Sequence, residues 1–153
     1  MKITCIMVQS VNGRIAHNDE PGAQSWISPE AQRHLATMIE TSPLIVMGRK
    51  TYNDAAGTMK HRSGKLRIVL TSSPEKYARY TIPGKLEFRK DTPRGIVQEF
   101  NGNYGTLLLV TGMKSSVRLE LVSSTRLNTR GTLLLHYRVL RFAQLCKTAP
   151  GEE

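Results

Sequence analysis

Three short apolar runs punctuate the chain: Leu44–Met47, Leu66-Arg-Ile-Val-Leu70 and Thr106–Val110. Runs of this length, rich in Leu, Ile and Val, suit strands covered on both faces, as in parallel sheets. Residues 2–9 predict a further strand, and the polar stretch Ser10–Ser25 a long loop. Between the strands the apolar spacing changes to that of helices. Ser28 stands where an N-cap belongs, Pro29 at the first helical position, and Ala31, Leu35, Met38 and Ile39 share one face, so a helix is expected to run until just before Pro43. Shorter helices are predicted near 49–56 and 93–101, with an extended piece near 85–89. Strands alternating with helices define an α/β pattern. The last third changes character: residues 117–124 and 132–139 flank Leu127–Gly131 and read as an antiparallel hairpin. From Phe142 onward the chain reads as a loosely held tail, which leaves one domain over 1–141 and a tail over 142–153.

Composition narrows this picture. The 153 residues are 39% hydrophobic, enough for the core of one domain. No apolar run approaches a bilayer span, and the opening strand is too short and too lightly charged for a signal peptide, so a soluble, cytoplasmic protein with no membrane partner is expected. Cys5 and Cys146 have neither metal-type spacing nor a disulfide framework, and Cys5 is expected to be a buried thiol. His17 and His34 lack metal-ligand company, so no metal is expected. The formal charge of +10, from 22 Lys and Arg against 12 Asp and Glu, predicts anionic partners. The cations are scattered and only 6% of residues are aromatic, which argues against nucleic acid.

The strand ends carry the candidate chemistry. Gly48, Arg49, Lys50 and Thr51 follow the second strand, where a glycine lets backbone amides approach an anion and the cations and helix start favour a phosphate. Thr71, Ser72 and Ser73 repeat that logic, with Ser73 placed to cap a turn begun by Pro74, and Val110, Thr111 and Gly112 supply a third junction. Open α/β sheets bind ligands at the carboxyl ends of their strands, and three such ends converging would form a dinucleotide groove. Trp26 lines a substrate pocket or anchors the first helix. Asp54 contacts substrate or caps a turn. Lys60, His61, Arg62 and Lys65 form a cationic loop, either solvated or facing a phosphate.

The ordered set Val8–Ala16, Ser25–Ser28, Met47–Thr51, Arg67–Thr71 and the terminal hairpin resembles the dihydrofolate reductase superfamily. Within it, the S-x-x-G-x-I-A stretch followed by Trp26, Ile27 and Ser28 is most similar to the reductase domain of the bifunctional riboflavin-biosynthesis deaminase-reductase. The resemblance covers about residues 2–112 and resumes over about 117–140. It implies a three-layer α/β/α domain with a central mixed, mostly parallel sheet and a C-terminal antiparallel hairpin. It also implies an NADPH-dependent reductase passing hydride to a C=N bond of a pyrimidine or pterin, a small-molecule substrate. Carried over by position, Val8, Gln9, Ile15 and Ala16 would meet the nicotinamide, and Gly48, Arg49, Lys50 and Thr51 the phosphates. Thr71, Ser72 and Ser73 would lie near the adenosine 2′-phosphate, and Val110, Thr111 and Gly112 near the pyrophosphate and nicotinamide edge. Arg49 is the expected discriminator of NADPH from NADH, through paired charge-assisted bonds to a phosphate.

Two departures from the family pattern stand out. Family members usually carry a second glycine after Gly112, then a helix and a strand; here Gly112 runs directly toward the hairpin. That would leave a sheet edge open and favour a homodimer. Dihydrofolate reductases also place a carboxylate on the first helix to help protonate substrate; here only Glu30 is near, at the helix start, where it serves as catalytic acid or simply stabilises the terminus. An imine-reducing pyrimidine reductase depends less on such a group. The alternatives are a dihydrofolate reductase-type enzyme and a non-catalytic basic binding protein that retains the fold.

Overall fold

A computed structural model of the protein describes residues 1–9, 27–110 and 119–140. In chain order the elements are β1 (Lys2–Ile6), α1 (Pro29–Thr41), β2 (Leu44–Gly48), α2 (Arg49–Ala55), β3 (Leu66–Leu70), β4 (Leu86–Arg89), α3 (Pro93–Phe100), β5 (Thr106–Val110), β6 (Leu119–Arg126) and β7 (Leu133–Val139). Two 3-10 stretches, Ala56–Thr58 and Pro74–Tyr80, join α2 to β3 and β3 to β4. The chain divides after Gly112 into two compact units.

In the first unit five strands form one sheet in the order β1-β5-β2-β3-β4, every pair parallel. Parallel neighbours require crossover connections, and the helices supply them. Strand side chains alternate between faces, so the two faces build separate cores. Leu44, Val46, Leu66, Ile68, Leu107 and Leu109 pack with Ile96 of α3, backed by Val97 and Phe100. Ile45, Met47, Val69, Leu86, Phe88 and Leu108 pack with Tyr52 of α2, backed by Met38 and Ile39 of α1. Helices on both faces make the expected three layers. Tyr52 meets Phe88 edge-on at 4.9 Å and Tyr77 lies flat on Phe88 at 4.8 Å, fixing α2 and the 74–80 stretch against β4.

Local signals explain the helix limits. Ser28 Oγ accepts from the Ala31 N–H at 3.3 Å, and Thr92 Oγ1 from the Gly95 N–H at 3.1 Å, each satisfying an otherwise orphaned donor. At the other end of α1, the Lys65 ammonium donates to the carbonyls of Ile39 (2.9 Å), Glu40 and Ser42 (3.5 Å). Arg89 ties β4 to α3: it pairs with Glu87 and Glu99, each at 2.6 Å, and those bonds raise its pKa.

Two expectations need correction. β1 stops at Ile6, short of the expected residue 9. Cys5 is exposed on β1, the edge strand of the sheet among the described residues, although local desolvation still pushes its thiol pKa up. The expected C-terminal antiparallel hairpin is present as β6 and β7, which pair with each other.

That hairpin is the second unit's described structure. A register shift between Leu121 and Ser123 bulges β6, and Gly131 at φ +93° lets the turn close. Asn128 bridges the turn, accepting from the Thr132 N–H at 3.0 Å and donating to its hydroxyl at 2.8 Å. Leu119, Leu121, Leu133, Leu135, Tyr137 and Val139 are all exposed.

Candidate functional site

The parallel register aligns the carboxyl ends of the strands along one sheet margin. Ile6 pairs with Val110, Val110 with Met47, Gly48 with Leu70, and Leu70 with Arg89. The second and third strand ends are therefore direct neighbours, and their following segments, 49–51 and 71–73, leave side by side.

At the first junction Gly48 caps α2 without any side-chain bond, so the first-turn amides of that helix have no side-chain acceptor. Its φ of −80° and ψ of 159° are open to any residue. Arg49 and Lys50 are exposed, Thr51 is half-buried, and Tyr52 points into the core. Neither Arg49 nor Lys50 has a carboxylate partner among the described residues. Two cations with no carboxylate partner among the described residues, beside amides without a side-chain cap there, supply the charge and donors an anion needs.

At the second junction the Thr71 N–H donates to Arg89 O at 3.0 Å, while Thr71 Oγ1 accepts from the Ser73 N–H at 3.3 Å. This local turn holds the loop in shape. Ser73 makes no side-chain cap for the 74–80 stretch, contrary to expectation; the Lys76 N–H donates to the Ser73 carbonyl at 3.3 Å instead. Ser72 is exposed and Ser73 half-buried.

Of the remaining candidates, Val8, Gln9 and Val110 fall on or just beyond the same margin, while Asp54 and Glu30 lie on helices. Val8 is half-buried and Gln9 exposed just beyond β1, and Val110 is half-buried at the end of β5, packed against the α1–α2 face. Asp54 is exposed on α2; its neighbour Asn53 accepts from the Tyr77 hydroxyl at 3.4 Å. Glu30 lies in the first turn of α1 and pairs with Arg33 at 3.5 Å. Ile15, Ala16, Trp26, Thr111 and Gly112 lie outside the described residues. Among the described residues no group of three or more His, Cys, Asp or Glu could hold a metal, and no helix is long and apolar enough to cross a membrane.

Two features near this margin escaped the reading of the sequence. Arg89 ends β4 beside the second junction, held by two carboxylates and lying over the Phe100 ring at 5.3 Å. The Tyr52–Tyr77–Phe88 cluster stiffens the ground beneath both junctions. Alternation in Leu86–Arg89 was a usable signal for the first; the second depends on contacts between distant segments.

No protein-family model matches the chain, and no curated protein matches it. Among solved structures it is similar to the "Putative riboflavin biosynthesis protein" of Shewanella sp. PV-4, with a TM-score of 0.59 and 15% identity, over 92% of this chain and 100% of that one. At that identity the likeness shows a shared fold. What is shared is an α/β fold, here a five-stranded parallel sheet flanked by helices and followed by a C-terminal antiparallel hairpin.

Proposed function

We propose that this protein is an NADPH-dependent reductase of the pyrimidine-reductase type, acting on a C=N bond of 5-amino-6-(5-phosphoribosylamino)uracil or a close analogue. The observation that carries the reading is the Gly48–Leu70 pairing, which sets Arg49, Lys50 and the start of α2 beside Thr71–Ser73. That donor set fits a phosphorylated dinucleotide: hydroxyls and amides for the pyrophosphate, and a guanidinium for the extra phosphate. The nicotinamide supplies the hydride when bound. The protein's share is placement of the cofactor and exclusion of water, and on this reading the substrate nitrogen takes its proton from solvent. The shared fold with a riboflavin-biosynthesis structure favours the pyrimidine over dihydrofolate as substrate.

Calorimetric titration of the folded protein tests the cofactor. NADPH is expected to bind more tightly than NADH, and Arg49→Ala to weaken NADPH by about 10- to 100-fold, the loss of a charge-assisted hydrogen bond. Equal affinity for the two nucleotides would overturn the assignment. Parallel assays of NADPH oxidation separate the substrates: turnover with dihydrofolate alone would transfer the reading to folate chemistry and make Glu30 the proton donor to examine.

A further inference from the structure

The amino end of the same sheet holds a group for which the nucleotide reading has no use. Arg67 lies at the second position of β3, on the same face as Val69, and is only 6% exposed. Its Nη1 is buried without a hydrogen-bond partner among the described residues. A buried, charged donor left unpaired is strongly unfavourable, so something should complete it.

Its surroundings are cationic. The Arg67 N–H donates to Lys85 O at 2.9 Å, placing the start of β4 alongside. Arg62 pairs with Glu40 on the last turn of α1, and the charges of both act on Arg67. His61 in turn feels Arg67 and Lys85; burial first, then those two charges, lowers its pKa. Lys65 is already engaged by the final carbonyls of α1, a capping duty that complements the helix dipole. Glu40 is thus one carboxylate among several cations. Both partners of the Arg62–Glu40 pair are more than half exposed, and such pairs contribute little, so Glu40 is readily displaced.

We propose that Arg67, with His61, Arg62 and Lys85, forms an oxyanion-binding site at the amino ends of β3 and β4, which takes a phosphate group in exchange for the Glu40 carboxylate. A multiply charged tetrahedral anion suits this setting better than a single carboxylate, because the donors come from three segments and their charge exceeds one negative partner. The site lies at the opposite end of the strands from Gly48–Thr51 and does not depend on the nucleotide reading.

The test is thermal unfolding of the whole chain titrated with inorganic phosphate at constant ionic strength. It is run in an Arg49→Ala background, which silences the proposed nucleotide groove. A saturable rise in Tm is expected there, lost on adding Arg67→Met. Adding Glu40→Gln instead should lower the half-saturating phosphate about threefold, and Lys85→Ala should raise it about as much. A non-saturating rise common to all variants is salt exclusion alone and overturns the proposal. So does a saturable rise that survives Arg67→Met. If Arg67→Met does not fold, the Glu40 and Lys85 variants decide: opposite displacements support the site and equal ones sink it.

Discussion

β2 and β7 both carry runs of aliphatic residues, yet one is sealed and the other is open. Leu44, Ile45 and Val46 have no exposed surface, because neighbours lie on both edges of β2 and helices on both faces of its sheet. Leu133, Leu135, Tyr137 and Val139 are 38–56% exposed, because a two-stranded sheet buries little on its own. An apolar run therefore specifies extended backbone; what covers it is a property of topology.

Substitution is the strongest way to break this contrast. Ile68→Ala in the centre of the large sheet should destabilise by about 2–5 kcal/mol, whereas Leu121→Ala in the hairpin should stay within about 0.5 kcal/mol, both read from urea unfolding. If the hairpin substitution were as damaging, its apolar side chains would be covered in solution and the contrast would collapse. A smaller effect sharpens it. Asn128→Ala removes the side chain that spans the hairpin turn and should cost about 1 kcal/mol locally. Amide exchange should then accelerate across β6 and β7 while the β2 amides keep their protection.

The smallest effect concerns the sheet unit and pH. The folded pKa of His61 is held below the usual 6.5, chiefly by burial and then by Arg67 and Lys85. The unfolded chain therefore binds more protons in the window just below 6.5, and native stability should fall as pH drops through it and level off beneath the folded value. His61→Gln should flatten that segment of a stability–pH curve without touching the hairpin. His61 is largely solvated, so the slope will be shallow.

Much of the architecture was legible in the sequence because its signals are local. Ser28 and Pro29 mark the start of α1, the buried runs give β2, β3 and β5, and Leu127–Gly131 marks the hairpin turn. What was not legible depends on remote neighbours. Cys5 is exposed on the edge strand of the sheet among the described residues, a placement that no window around Cys5 reveals. The burial of Arg67 was written inside an apolar run, but the lack of a partner for its Nη1 among the described residues depends on where Glu40 and Arg62 come to rest. Of the candidate site, the adjacency of Arg49–Thr51 and Thr71–Ser73 follows from β2–β3 pairing. The segments holding Ile15, Ala16, Trp26, Thr111 and Gly112 lie outside the described residues.

The strand order also sets a timetable for assembly. Among the described residues β1 pairs with β5 alone, from Lys2–Thr106 to Ile6–Val110, so a strand early in the unit must wait for the one latest in its sheet. Pairings this distant close large loops before they gain any contact, which slows folding and prolongs exposure of unpaired edges. A nascent chain ending before Val110 would carry β1 as a bare, aggregation-prone ribbon.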